Sequence, residues 1–133
     1  MENLIIVDTD VIINYVKQTK PSILEHYIRL QNKKQVKLCV SSITVFEYFS
    51  GISFSHQAEY QSSEILFKQF TIQDVTEPIV KIAAKFNNEM KLFSSIGLAD
   101  ILISATALFQ NAKLLTLNKR HFHLIPGLKF ASI

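Results

Sequence analysis

Asp8, Glu47, Asp100 and Asn118 each interrupt apolar sequence at a point where a strand is expected to end or a helix to begin. Three carboxylates brought to one place repel one another unless a cation offsets them, and all-oxygen ligation with few side chains suits Mg²⁺ or Mn²⁺. Each position also has an ordinary alternative. Asp8, with Thr9 and Asp10 behind it, could cap the first helix by accepting from free backbone N–H groups. Thr44 and Glu47 have the spacing of a capping box, yet Val45, Phe46, Tyr48 and Phe49 flank Glu47 so closely that a carboxylate there needs a partner. Asp100 stands in a first helical turn, where the macrodipole favours an anion, but apolar residues surround it. Asn118 suits a turn. Other chemistries find less support. His26, His56, His121 and His123 have no cysteine partner at zinc spacing, and the single cysteine, Cys39, lies in an apolar run that reads as core. Three glycines supply neither a phosphate loop nor a nucleophile elbow.

The elements that must position these residues are short apolar strands alternating with helices. Residues 3–7 read as a buried strand ending at Asp8, and Pro21 opens a helix over 21–34. A strand over 37–40 leads through Ser41 and Ser42 into a helix running toward Gly51. A helix over 55–68 and a brief strand over 70–72 follow. Glu77 and Pro78 start a long helix in which Ile79, Ile82, Ala83, Phe86, Met90 and Phe93 recur at helical spacing. Gly97 breaks it, and 98–109 forms a further helix rich in Ala and Leu. Strands follow over 113–117 and 128–130. This alternation predicts an α/β/α sandwich, three layers around a mostly parallel sheet of four to five strands. Ligands of such sheets sit at the carboxyl ends of the strands, where Asp8 and Asn118 both fall.

The whole chain, residues 1–133, fits one domain. With 48% hydrophobic and 19% charged residues it has a globular balance. No apolar run approaches the roughly 20 residues that span a bilayer, and no signal peptide is evident, so a soluble cytoplasmic protein is expected. The net charge of +3 is uneven: no acidic residue follows Asp100, whereas Lys113, Lys119, Arg120 and Lys129 do. That asymmetry favours a polyanionic partner. The aromatic-rich middle, with Phe46, Tyr48, Phe49, Phe54, Tyr60 and Phe67, holds enough large apolar groups to line a groove for a partner helix or strand as well as a core.

Four segments carry a family resemblance. Ile5-Ile6-Val7-Asp8-Thr9-Asp10-Val11, Ser41 to Gly51 with Glu47 at its acidic position, Asp100-Ile101-Leu102-Ile103-Ser104-Ala105, and Leu115-Thr116-Leu117-Asn118-Lys119-Arg120-His121-Phe122 resemble, in order, the motifs of the PIN-domain family. Within it they are similar to the VapC-type toxin ribonucleases of type II toxin–antitoxin systems. The resemblance implies an acidic cluster of Asp8, Glu47 and Asp100 that binds Mg²⁺ or Mn²⁺ and cleaves RNA, with Asn118 and Thr116 as the supporting fourth motif. It further implies a cognate antitoxin and a homodimer. Many members carry Asp where this chain has Asn118, which bears on whether one metal or two are held.

The expected mechanism has a metal on Asp8 and Asp100 polarising the phosphodiester and activating a water. Glu47 completes the cluster and accepts the proton, Thr116 and Asn118 position water or phosphate, and Lys113, Lys119 and Arg120 hold the RNA backbone. Two rivals stand beside it. Asp8-Thr9-Asp10-Val11 mimics the nucleophile and acid of a haloacid dehalogenase-type phosphatase, which also wants late acids that this chain lacks. A PIN-like domain that binds RNA without cutting it is the other.

Overall fold

The computed structural model describes residues 3–17, 22–53, 55–91 and 96–133. In chain order the elements are β1 (Asn3–Val7), α1 (Thr9–Lys17), α2 (Ile23–Asn32), β2 (Val36–Ser41), α3 (Ser42–Ser50), α4 (Gln57–Phe67), β3 (Thr71–Gln73), α5 (Glu77–Met90), α6 (Leu98–Phe109), β4 (Lys113–Leu115), α7 (Lys119–Phe122) and β5 (Lys129–Phe130). The helix expected from Pro21 begins at Ile23, with Ser22 accepting from the Glu25 amide. Pro21 itself, Phe54 and Phe93 lie outside the described residues.

The strands form one five-stranded sheet in the order β3-β2-β1-β4-β5, and every pairing is parallel. A wholly parallel sheet buries both faces, and strand alternation sorts its side chains accordingly. Ile5, Val7, Leu38, Val40 and Leu115 point to one side, against Val11, Leu24, Tyr48 and Phe67 of α1 to α4. Ile6, Cys39 and Leu114 point to the other, against Ile103 and Ala107 of α6 and Phe122 of α7. Ile79 and Ala83 of α5 then pack on Ile101, Leu102 and Ala105 of α6 as an outer layer. Cys39 is a buried free thiol in this core, its ionisation disfavoured by burial.

The chain lays β2 and β3 on one side of β1, then returns to lay β4 and β5 on the other. The sheet therefore reverses its winding between β1 and β4, and the crevice outside their carboxyl ends is where such sheets bind ligands. Asp8 follows β1 directly and Thr116 follows β4 directly. The Asp8 amide donates to the Leu115 carbonyl at 2.9 Å, carrying the ladder one step past the strand and fixing the two ends side by side.

The aromatic middle divides between core and surface. Tyr48 and Phe67 are buried, whereas Phe46 is 70% exposed. Val45, Phe46, Phe49, Tyr60, Phe67 and Ile72 line an open groove of about 700 Å³ between α3, α4 and the edge strand β3. No helix among the described residues is long and apolar enough to cross a membrane.

Candidate active site

Asp8 is the centre of the carboxyl edge. It is buried, and as the residue before α1 it accepts from the Thr9 amide through Oδ1 at 2.8 Å. Its Oδ2 accepts from the Thr116 hydroxyl at 2.8 Å, so both carboxylate oxygens are hydrogen-bonded. Thr116 is itself fully buried. Its one proton goes to Asp8, the shorter contact, and its oxygen accepts from the Asn118 amide at 3.1 Å.

Asp10 completes this knot. Its Oδ2 lies 3.4 Å from the Thr116 hydroxyl and its Oδ1 lies 3.4 Å from the Leu117 amide. Burial pushes the Asp8 carboxyl from 3.8 up to about 7, with the neighbouring Asp10 and Asp100 charges adding and the Thr116 hydrogen bond opposing. Burial also raises Asp10, against the hydrogen bonds it accepts. Asp100, in the first turn of α6, is raised by burial and held back by His121, whose Nε2 lies 2.8 Å from Asp100 Oδ2.

Glu47 enters through Thr9. The Thr9 hydroxyl donates to Glu47 Oε1 at 2.7 Å and lies 3.1 Å from the Thr44 hydroxyl. Thr9 has one proton, and the carboxylate at 2.7 Å is the closer and stronger of its two acceptors. The capping-box reading of Thr44 and Glu47 does not hold. Ser41 caps α3 by accepting from the Ile43 amide at 3.1 Å, and Thr44 lies buried inside the helix.

The sequence-predicted residues are therefore brought together unequally. Asp8 and Thr116 touch, Asp100 is near enough to act on Asp8 through its charge, and Glu47 is joined to Asp8's neighbour Thr9. Among the described residues no three His, Cys, Asp or Glu side chains are arranged to hold a metal ion by themselves. Asn118 is exposed at the start of α7 and makes no side-chain cap. Lys119 and Arg120 are exposed beside it, with the Lys119 ammonium 6.0 Å from the centre of the Phe130 ring. Lys113 is exposed at the start of β4, three residues or about 10 Å back from Thr116, because a strand rises about 3.3 Å per residue. Thr9, Asp10 and His121 are the positions at the site that the sequence reading did not assign to it. The paired acids of Asp8-Thr9-Asp10 were the available signal for Asp10.

A divalent cation fits this donor set. Asp8 and Asp10 have no lysine or arginine partner among the described residues. Buried carboxylates without a counter-charge suit a hard cation, and Mg²⁺ is commonly bound by one or two carboxylates, so a three-residue cage is not required.

A family model for the PIN domain matches residues 5–128, and the chain belongs to that family. Ribonuclease VapC10 of Mycobacterium tuberculosis is 30% identical over 127 residues, covering 95% of this chain and 91% of that protein. Ribonuclease VapC1 of Methanocaldococcus jannaschii is 33% identical over 131 residues, covering 96% and 87%. Among solved structures, VapBC-1 from nontypeable Haemophilus influenzae matches with a TM-score of 0.75 at 25% identity, covering 97% of each chain. VapBC2 from Rickettsia felis, bound to a DNA fragment from its promoter, matches with a TM-score of 0.82 at 22% identity over 96% and 97%. Family membership displaces the phosphatase alternative, although the Asp8 and Asp10 pair that suggested it is present.

Proposed function

We propose that this chain is an endoribonuclease, the toxin of a toxin–antitoxin pair acting in the cytoplasm, and that it depends on Mg²⁺ or Mn²⁺ held at the carboxyl edge of its sheet. The observation that carries the reading is the buried Asp8 carboxyl, raised to about 7 beside Asp10 and Asp100 at the winding reversal of the sheet. The relatives named as VapC ribonucleases support RNA as substrate. The VapBC complexes support an antitoxin partner, to which the apolar groove beside α3 offers surface.

Asp8 and Asp100 are the residues that would hold the ion, with Asp10 adjoining. When bound, the ion supplies neutralising charge and Lewis acidity at the phosphodiester. The protein's own groups do the rest. Thr9 holds Oε1 of Glu47, leaving Oε2 to accept a proton from the attacking water. Thr116 fixes the orientation of Asp8. Asn118 offers an amide to a phosphate, and Lys119 and Arg120 supply backbone affinity that carries no sequence information.

Purified chain freed of any partner, incubated with labelled RNAs that include tRNA in Mg²⁺, Mn²⁺ or EDTA, is expected to cut only with metal. Cleavage that persists in EDTA sinks the metal reading, and no cleavage of any RNA returns the non-cutting RNA binder. Thr9→Val tests Glu47 separately. Removing the hydroxyl frees the glutamate and should slow cleavage about tenfold at a stability cost of about 1 kcal/mol. Unchanged single-turnover cleavage by Thr9→Val would show that the orientation of Glu47 is immaterial.

A further inference from the structure

His121 lies outside the residues assigned above to metal or RNA, yet it joins the two chain segments that build the site. Its Nε2 lies 2.8 Å from Asp100 Oδ2 and 3.2 Å from the Ile96 carbonyl oxygen. Both partners are acceptors, so Nε2 must carry the proton, and one N–H is shared between a carboxylate and the backbone just before it. Imidazole and carboxylate are each 28% exposed, dry enough for the bond to hold an orientation. The ring is braced edge-on by Phe122, at a centroid distance of 5.4 Å, and Phe122 is fully buried in the core. On the other side, Gly97 starts α6 at φ 86, a left-handed conformation, and no side chain caps that helix. His121 is thus the group that ties the entry of α6 to the segment after β4, which also carries Thr116.

We infer that His121 is a positioning residue for Asp100, holding Oδ2 so that the carboxylate keeps one orientation and Oδ1 would be available to a divalent cation that Asp8 and Asp100 would hold. The inference rests on the metal reading of the site. Groups that hydrogen-bond a ligating carboxylate set its orientation, and their loss commonly weakens metal affinity 10- to 100-fold. Gln can place an N–H where Nε2 stands, whereas Ala cannot.

The test is Mn²⁺ titration by calorimetry at about pH 8 on the full chain, with wild type, His121→Ala, His121→Gln and the exposed control His123→Ala, each checked for folding by thermal melt. His121→Ala is expected to bind Mn²⁺ about 10- to 100-fold more weakly, with His121→Gln and His123→Ala within about threefold of wild type. Imidazole ¹⁵N shifts of the metal-free protein should show His121 fixed as the Nε2–H tautomer. Wild-type affinity in His121→Ala, or a Gln variant as weak as Ala, overturns the role of His121 alone. A wild-type chain that binds no Mn²⁺ overturns the metal reading and this inference with it.

Discussion

Asp8→Asn and Asp100→Asn should both lose RNA cleavage by about a thousandfold or more, yet only Asp8→Asn should become more stable than wild type as pH rises. The shared loss follows from removing a charge where a cation must be neutralised. The difference follows from the environments. In the unfolded chain Asp8 ionises near 3.8, whereas burial among Asp10 and Asp100 raises the folded value to about 7. Between those values the folded protein holds a proton that the unfolded chain has released, so wild-type stability falls as pH rises through the window and levels off above it. Asn cannot ionise, keeps an oxygen for the Thr9 amide, and turns its amide toward the Thr116 oxygen. At about pH 8 Asp8→Asn should therefore exceed metal-free wild type by about 1–4 kcal/mol, with the gap closing toward about pH 4. Asp100 is raised by burial too, but His121 offsets part of that, so Asp100→Asn should show little of this gain. Single-turnover cleavage in saturating Mn²⁺ and melts across pH measure both effects. Wild-type cleavage by either variant removes that acid from the site, and a pH-independent stability difference for Asp8→Asn removes the buried charge.

The same residues show what the chain's pattern reveals and what it hides. The helix expected over residues 98–109 is found over Leu98–Phe109, because Ala, Leu and Ile there satisfy helix propensity and burial together. The last full strand is shorter than expected. The run of apolar residues continues to Leu117, but Lys113–Leu115 is the strand, since the Thr116 hydroxyl and Leu117 amide turn toward Asp8 and Asp10 and leave the ladder. Asp10 is hidden by a periodicity argument. Positions two apart on a helix do not face each other, but Asp8 precedes α1, and from there the two carboxyls converge. His121 sits on a helix too short to have a readable face. The charge of Lys113 is legible in the chain, but its distance from the carboxyl edge is not, because that depends on where β4 begins. The order of the sheet, which makes the β1/β4 crevice the site, follows from no single segment.

Thr116→Val is the variant in which shape is kept and one hydrogen bond is lost. Valine fills the same buried space, so no cavity opens, but Asp8 Oδ2 loses the donor at 2.8 Å that offsets part of its burial. Water cannot readily replace that donor at a buried carboxyl, whereas the Asn118 backbone N–H belongs to an exposed residue, where solvent can accept its bond. The cost at about pH 8 should be about 1–3 kcal/mol, the penalty of a buried acceptor left unmade. It should shrink as pH falls through about 7, where the folded protein protonates Asp8 and the donor is no longer needed. The Asp8 carboxyl should also rise further, because Thr116 is one of the groups that lower it. Metal must compete with that proton, so the pH at half-maximal Mn²⁺ binding should move upward, and cleavage at about pH 7 should fall while cleavage at higher pH recovers. Thr116→Ser keeps the hydroxyl and loses a methyl, so it should pay about 1 kcal/mol without the alkaline displacement. A Val variant whose Mn²⁺ binding follows the wild-type pH profile, or a Ser variant displaced as far as Val, would show that the Thr116 hydroxyl does not set the ionisation of Asp8.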